Sequence, residues 1–243
     1  MAYIKMSSPF ADPKIILSAI LGGVIPAILW LWFWLKQEDS DDPEPSGMII
    51  ASFILGGIMV FIAITLEKYS LNFIGNDTQQ IIIWATIEEI LKSIGVFIIL
   101  FGNKKIRQPI DYPMYFIAVA LGFAAVENFL YLSNPVGIDG TLVRMLTGNL
   151  RFLGATLLHA VCSGMIGSAL GLAFYLNKRK KRYLIFGIFF AILLHSIFNF
   201  FIMKRSDENF ISVFVFLWVV TIINILIFEK LKRMRQNTVT QIA

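Results

Sequence analysis

The chain has 243 residues, 57% of them hydrophobic and 15% charged, with a net charge of +5 and a mean hydropathy of +0.74. This composition excludes an ordinary soluble domain, and recurring runs of about 20 apolar residues place the chain among polytopic membrane proteins. The positive balance reports on loop orientation, because the basic runs abut apolar segments; no nucleic-acid partner is expected.

Residues 1–14 are polar and carry no cleavable signal pattern. Seven apolar spans follow, at roughly 15–35, 48–66, 79–101, 113–132, 151–176, 184–203 and 210–229. The expected fold is therefore all-α, a polytopic membrane protein with about seven transmembrane helices in one bundle. Residues 1–243 form a single transmembrane domain in this reading, and its partners include the lipid bilayer. The first span ends in "WLWFWLK", an aromatic cluster suited to the membrane interface, and an acidic loop follows, "QEDSDDPEPSG". The Trp and Phe residues are expected at lipid or at the interface. Residues 139–152 are mildly amphipathic and are expected along the surface ahead of the fifth span. Gly164, Gly167 and Gly171 read as packing positions that let helices approach, and Cys162 as a buried inert thiol.

Four spans carry polar groups. The third holds Glu88, Glu89 and Lys92, the fourth Glu127 and Asn128, the fifth His159 and Ser163, the sixth His195 and Asn199. An ionised side chain at a helix centre costs about 2.5–3.5 kcal/mol on insertion scales, so such residues face a cavity, pair with each other or bind an ion. Glu88 with Lys92, Glu127 with Tyr131, His159 with Ser163 and His195 with Asn199 are each four residues apart, which puts each pair on one helix face. Counted from span ends on one side of the membrane, Glu88, Glu127, His159 and His195 lie at a common depth of roughly 8–14 Å.

Two histidines and a carboxylate on separate helices suit a three-ligand zinc site, drawn from Glu88, Glu89, His159 and His195. A second carboxylate would act as general base on a water. Without metal, paired glutamates would share a proton, one as acid and one as base. Asn199 and Ser163 are positioned to donate to a developing oxyanion, and Lys92 and Glu127 to support the site. These roles fit hydrolysis of a peptide bond within the membrane. Plainer readings stand beside them: Glu88 with Lys92 as a structural ion pair, Glu127 reaching interfacial water, and each histidine as a hydrogen-bonded packing residue.

The ordered set Glu88-Glu89-x-x-Lys92, Glu127-Asn128-x-x-Tyr131, His159-x-x-x-Ser163 and His195-x-x-x-Asn199 resembles the PrsW family of intramembrane proteases. The wider group includes the CAAX prenyl proteases, the bacteriocin-processing proteins and the anterior-pharynx-defective subunit of gamma-secretase. The resemblance covers roughly residues 79–203, the expected catalytic core. It implies a glutamate-dependent peptidase of the bacterial cytoplasmic membrane. Glu88 and Glu89 would be its catalytic carboxylates, His159 and His195 their partners, and Asn199 would lie near the oxyanion. A membrane-anchored substrate resembling an anti-sigma factor is implied too. Glu127 stands where CAAX-type proteins have a histidine, which counts against a prenylated substrate. The alternatives are a catalytically silent scaffold for a partner membrane protein and a proton-coupled transporter; the lack of visible inverted repeats counts against the latter.

With alternating spans, Lys36, Lys104, Lys105, Arg107, Lys178, Arg179, Lys180, Lys181, Arg182, Lys230, Lys232, Arg233 and Arg235 share one side, 13 in all. The other side holds 7: Lys5, Lys14, Lys68, Arg144, Arg151, Lys204 and Arg205. The asymmetry places the N-terminus outside and the C-terminus in the cytoplasm. A reporter fused after Ala243 is accordingly expected to be active only in its cytoplasmic form. Cleavage of a C-terminal tag by protease added to intact cells would reverse the orientation.

Overall fold

A computed structural model describes residues 13–37, 44–100, 106, 108–133, 141–176, 179–204 and 210–240. Of the basic residues in the topology count, Lys5, Lys104, Lys105, Arg107, Lys178 and Arg205 lie outside the described residues, as does most of the acidic first loop. The described chain is an all-α bundle. Its first rod is α1 (Pro13–Ala19), a π-helical turn (Ile20–Val24) and α2 (Ile25–Gln37). Then come α3 (Ser46–Ser70), α4 (Asp77–Leu100), α5 (Asp111–Ser133), α6 (Thr141–Tyr175), α7 (Lys180–Lys204) and α8 (Phe210–Thr240). Six of these seven rods are long and apolar enough to cross a membrane. The seventh, α4, has 24 residues but carries Glu88, Glu89 and Lys92, and it buries all three. The expected surface segment differs: residues 141–152 are the first turns of α6, one helix with the fifth span.

The central column is α5. Every residue from Asp111 to Ala125 is buried, so its apolar side meets protein where the sequence pattern suggested lipid. Small residues make this possible. A Cβ at Gly56 would overlap the carbonyl oxygen of Val119, and one at Gly122 that of Phe53, so α3 and α5 touch backbone to backbone. Tyr115 bonds Glu44 and Met48 where both helices start, and Gly57 meets Val126 further along each, so the two helices run parallel. Between them, α4 runs antiparallel to α3: Gly95 packs on Met59, and the Trp84 indole donates to Ser70 Oγ at 3.3 Å. On the far side, Cβ atoms at Gly167 and Gly171 would strike backbone at Pro113 and Pro109, which draws α6 onto the start of α5. The π turn brings Gly23 against the backbone of Asn128 and Phe129.

The aromatic cluster of α2 divides. Trp32 is exposed, whereas Trp34 is fully buried and packs edge-on against Phe228 of α8. Phe116 and Phe123 of α5 are buried as well, because a stretch wrapped on all sides has no lipid face to give its aromatics, and Phe198 of α7 is buried on that helix's inward side. The opposite end of α5 is fastened by side chains. The Tyr115 hydroxyl donates to Glu44, and the Gln108 amide donates to Asp111 Oδ2 at 2.9 Å. Lys180 sits 4.9 Å over the Phe174 ring and donates to the Tyr112 hydroxyl at 3.2 Å.

Gly122→Val and Gly56→Val are each expected to destabilise the bundle by about 1–3 kcal/mol, the usual cost of overpacking a close crossing. Thermal unfolding of the purified protein in detergent would show both midpoints lowered, while Gly47→Val, where a Cβ meets nothing within 4 Å, leaves the midpoint near wild type.

Candidate active site

The site begins with the stripe that α4 turns inward. Ile81, Ala85, Glu88, Glu89, Lys92 and Val96 are buried at helical spacing, while Ile82, Ile83, Ile90, Ile94 and Ile98 face outward. Lys92 has no exposed surface and must be satisfied inside the protein. Its ammonium donates to Glu89 Oε1 at 2.7 Å and lies 3.5 Å from Glu88 Oε2 and 4.7 Å over the Phe123 ring.

The same ammonium lies 2.6 Å from His159 Nδ1. An ammonium has protons and no lone pair, so Nδ1 must accept. The ring proton is then on Nε2, which faces Glu127 Oε2 at 2.9 Å. The other histidine is held the same way with its nitrogens exchanged. His195 Nδ1 lies 2.9 Å from Glu89 Oε1; an ionised carboxylate only accepts, so Nδ1 carries a proton, and in the neutral ring the lone pair is on Nε2. Both lone-pair nitrogens, His159 Nδ1 and His195 Nε2, lie 3.8 Å from Glu88 Oε2. The two rings stand nearly perpendicular, with centroids 5.1 Å apart.

Glu88, His159 and His195 thus offer three donor atoms within 4.8 Å of one another, all buried. Ligands 2.0–2.1 Å from a tetrahedral zinc are about 3.3 Å apart, so a small inward shift would close the trio around an ion. Three features favour a cation there. Each histidine has its other nitrogen on a carboxylate, the arrangement that fixes ring orientation in zinc sites. The formal charges of Glu88, Glu89, Glu127 and Lys92 leave negative charge in excess. The Lys92 ammonium already rests against two of the three donors, a built-in stand-in for an ion.

Of the residues singled out in the sequence, Glu88, Glu89, Lys92, Glu127, His159, Ser163 and His195 converge. Glu89 stands apart from the trio, because adjacent helical residues point about 100° apart; its oxygens are engaged by Lys92, by His195 and, at 3.4 Å, by the Ser163 hydroxyl. Asn199 is half-buried one turn beyond His195, and among the described residues no hydrogen bond joins it to the glutamates or histidines. Asn128 donates to Thr156 Oγ1 at 3.0 Å, a second tie from α5 to α6 beside the Glu127–His159 pair. Cys162 is a buried free thiol.

Two residues were missed. Thr156 carries no sequence signal. Glu67 does: a lone acid at the very end of an apolar run. Antiparallel packing of α3 on α4, from Met59 at Gly95 to Ser70 at Trp84, brings Glu67 level with Glu88. It is half-buried and close enough to feel the charges of Glu88 and Glu127.

Comparison with known proteins gives the family. The family model for PrsW family intramembrane metalloproteases matches residues 44–226. The chain is 30% identical over 207 residues to Protease PrsW of Bacillus subtilis (strain 168), covering 82% of this chain and 90% of that one. It is 28% identical over 230 residues to Protease PrsW of Oceanobacillus iheyensis, covering 92% and 99%. To Protease PrsW of Clostridioides difficile (strain 630) it is 27% identical over 228 residues, covering 88% and 91%. No solved structure matches.

Because Glu127 faces His159 Nε2 at 2.9 Å, Glu127→Ala should loosen any metal held by the trio by about 10–100-fold. Zinc retained by the purified variant against a graded chelator measures this, and Glu127→Gln, which still accepts the Nε2 proton, should lose less.

Proposed function

We propose, from the premise that the chain belongs to the PrsW family of intramembrane metalloproteases, that it hydrolyses a peptide bond of a membrane-anchored protein at the Glu88/His159/His195 cluster. The observation that carries this reading is the convergence of two histidine lone pairs on one carboxylate oxygen, at 3.8 Å each, with a second carboxylate beside them. A scaffold gains nothing from holding both imidazoles in opposite tautomers toward one point. The charge asymmetry of the loops favours the outer half of the membrane for this point. A short extracytoplasmic protein with one span, of the anti-sigma-factor kind, fits as substrate.

Glu88, His159 Nδ1 and His195 Nε2 would hold a divalent ion such as zinc. When bound, it would supply Lewis acidity toward a carbonyl and a water. The remaining work falls to the chain. Glu89 fixes the His195 imidazole by accepting its ring proton, and the Glu127 carboxylate stands 2.9 Å from His159 Nε2 as its charge partner. Glu89 has Oε1 occupied by Lys92 and His195, which leaves Oε2, on the Ser163 side, as the oxygen that takes up a proton from water. That proton then passes to the leaving amine. Lys92 keeps Glu89 ionised-compatible in a dry interior by neutralising it at 2.7 Å. The access route is past Glu127, whose side chain is 40% exposed, while that of Glu88 is 7% and that of Glu89 is 0% exposed.

The roles separate by substitution. Glu88→Gln is expected to lose both cleavage and tight metal binding. Glu89→Gln keeps the shape of the side chain but cannot hold the water's proton, so it should keep metal and substrate binding and lose about 10²–10⁴ in cleavage rate. Co-expression with tagged single-span proteins, scored for shortened products and for co-purification, distinguishes the outcomes. A partner stabilised but never shortened, and stabilised equally by both glutamine variants, would sink the protease reading in favour of a scaffold.

A further inference from the structure

We propose that Lys92 and the divalent cation compete for one position: the lysine ammonium holds the place between Glu88 and His159 and partly offsets their negative surroundings, and it withdraws toward Glu89 when the cation enters. The inference rests on the metal-holding role of Glu88, His159 and His195.

The argument is one of lone pairs. His159 Nδ1 has a single lone pair, and the Lys92 ammonium donates to it at 2.6 Å. The same nitrogen is the one His159 offers toward Glu88, since its Nε2 is taken by Glu127 at 2.9 Å. One lone pair cannot accept a proton from an ammonium and coordinate an ion at once. Glu88 Oε2, the oxygen 3.8 Å from both histidine donors, is also 3.5 Å from the ammonium. Like charges at such range repel strongly in a poorly screened interior. Lys92 therefore has to leave His159 for the ion to bind there.

It has somewhere to go. Its nitrogen is already 2.7 Å from Glu89 Oε1, so releasing His159 leaves that ion pair whole. The four-carbon stem is flexible, and the Phe123 ring 4.7 Å away remains as a cation–π surface. Lys92 in this account is a positioning residue with two settings. In one it stabilises the metal-free bundle by countering Glu88 and Glu89. In the other it is bound to Glu89 alone, next to the carboxylate that handles the water's proton.

The two settings predict effects of opposite sign. Removing the ammonium should weaken the metal-free protein and strengthen metal binding, whereas a purely structural lysine would weaken both. The test uses full-length protein in detergent micelles, wild type against Lys92→Met and Lys92→Gln, with zinc ion alone as probe. Two quantities are read: zinc affinity by competition with a chelator, and the midpoint of thermal unfolding with chelator or with saturating zinc. Expected are a gain in zinc affinity of about tenfold or more for both variants, a lower midpoint in chelator, and a deficit that zinc closes. Zinc affinity unchanged or reduced in variants that fold, beside a wild type that binds zinc, overturns the competition and leaves the metal reading intact. No zinc binding by any of the three proteins, with Glu88→Gln indistinguishable from wild type, overturns both. If neither variant accumulates in ordinary medium, expression is repeated with added zinc: rescue supports the exchange of lysine for metal, and failure of rescue overturns it.

Discussion

A lysine with no exposed surface, on a helix between membrane spans, constrains everything around it. Its charge has no water to solvate it, so carboxylates must come within bonding distance, and those carboxylates in turn need partners. Glu89 at 2.7 Å answers Lys92; His195 answers Glu89 on the other side; His159 answers Lys92, and Glu127 answers His159. Each link draws in a different helix. The chain of demands runs from α4 to α7 and from α4 through α6 to α5, so the polar cluster ties four of the seven rods together at one level. Removing any member leaves a neighbour buried without its counterpart, and in a bilayer that neighbour cannot turn to solvent.

Such a network needs helices close enough for short side chains to meet, and glycine supplies that. The crossing of α3 on α5 at Gly56 and Gly122, and of α6 on α5 at Gly167 and Gly171, brings backbones into contact. Without a hydrophobic force between helices in lipid, close van der Waals packing and hydrogen bonds hold them. The glycines and the charged cluster are thus complementary: the first fix how near α5 lies to its neighbours, the second fixes their rotation about their own axes. Glu127 reaches His159 only because α5 is pinned on both flanks.

The common depth of Glu88, Glu127, His159 and His195 was legible because polar residues inside apolar runs are few and helical rise is regular. Pairing at four-residue spacing correctly put Glu88 and Lys92 on one face. It also put Asn199 with His195, but half-burial and no bond to the cluster show that one shared face does not guarantee one shared contact. Glu67 was lost to a boundary. A second span ending at residue 66 leaves it in a loop, and only the antiparallel register of α3 on α4 reveals that it sits beside Glu88. The burial of α5 from Asp111 to Ala125 was equally hidden, since an apolar face reads the same whether it meets lipid or protein. Which nitrogen of each histidine carries its proton could not be read from sequence at all; it follows from which atom each partner presents.

The gradient of exposure across the cluster bears on what the site can take. Glu127 is the open member, Glu88 nearly closed, and Glu89 and Lys92 sealed. Under the proposed protease reading, water and peptide would meet the carboxylates from the Glu127 side, ahead of Glu88 and Glu89. A substrate span arriving through lipid comes as a helix, with every carbonyl already hydrogen-bonded along the chain. Its scissile carbonyl is unavailable until that ladder opens, and the opening is least costly near a helix end, where carbonyls and amides lack intrahelical partners. Under that reading, a site entered past Glu127 would suit an unwound end of a span better than its middle. The cleaved bond is then expected within about one or two turns of the substrate's end on that face, a range set by helical rise and the depth of the cluster.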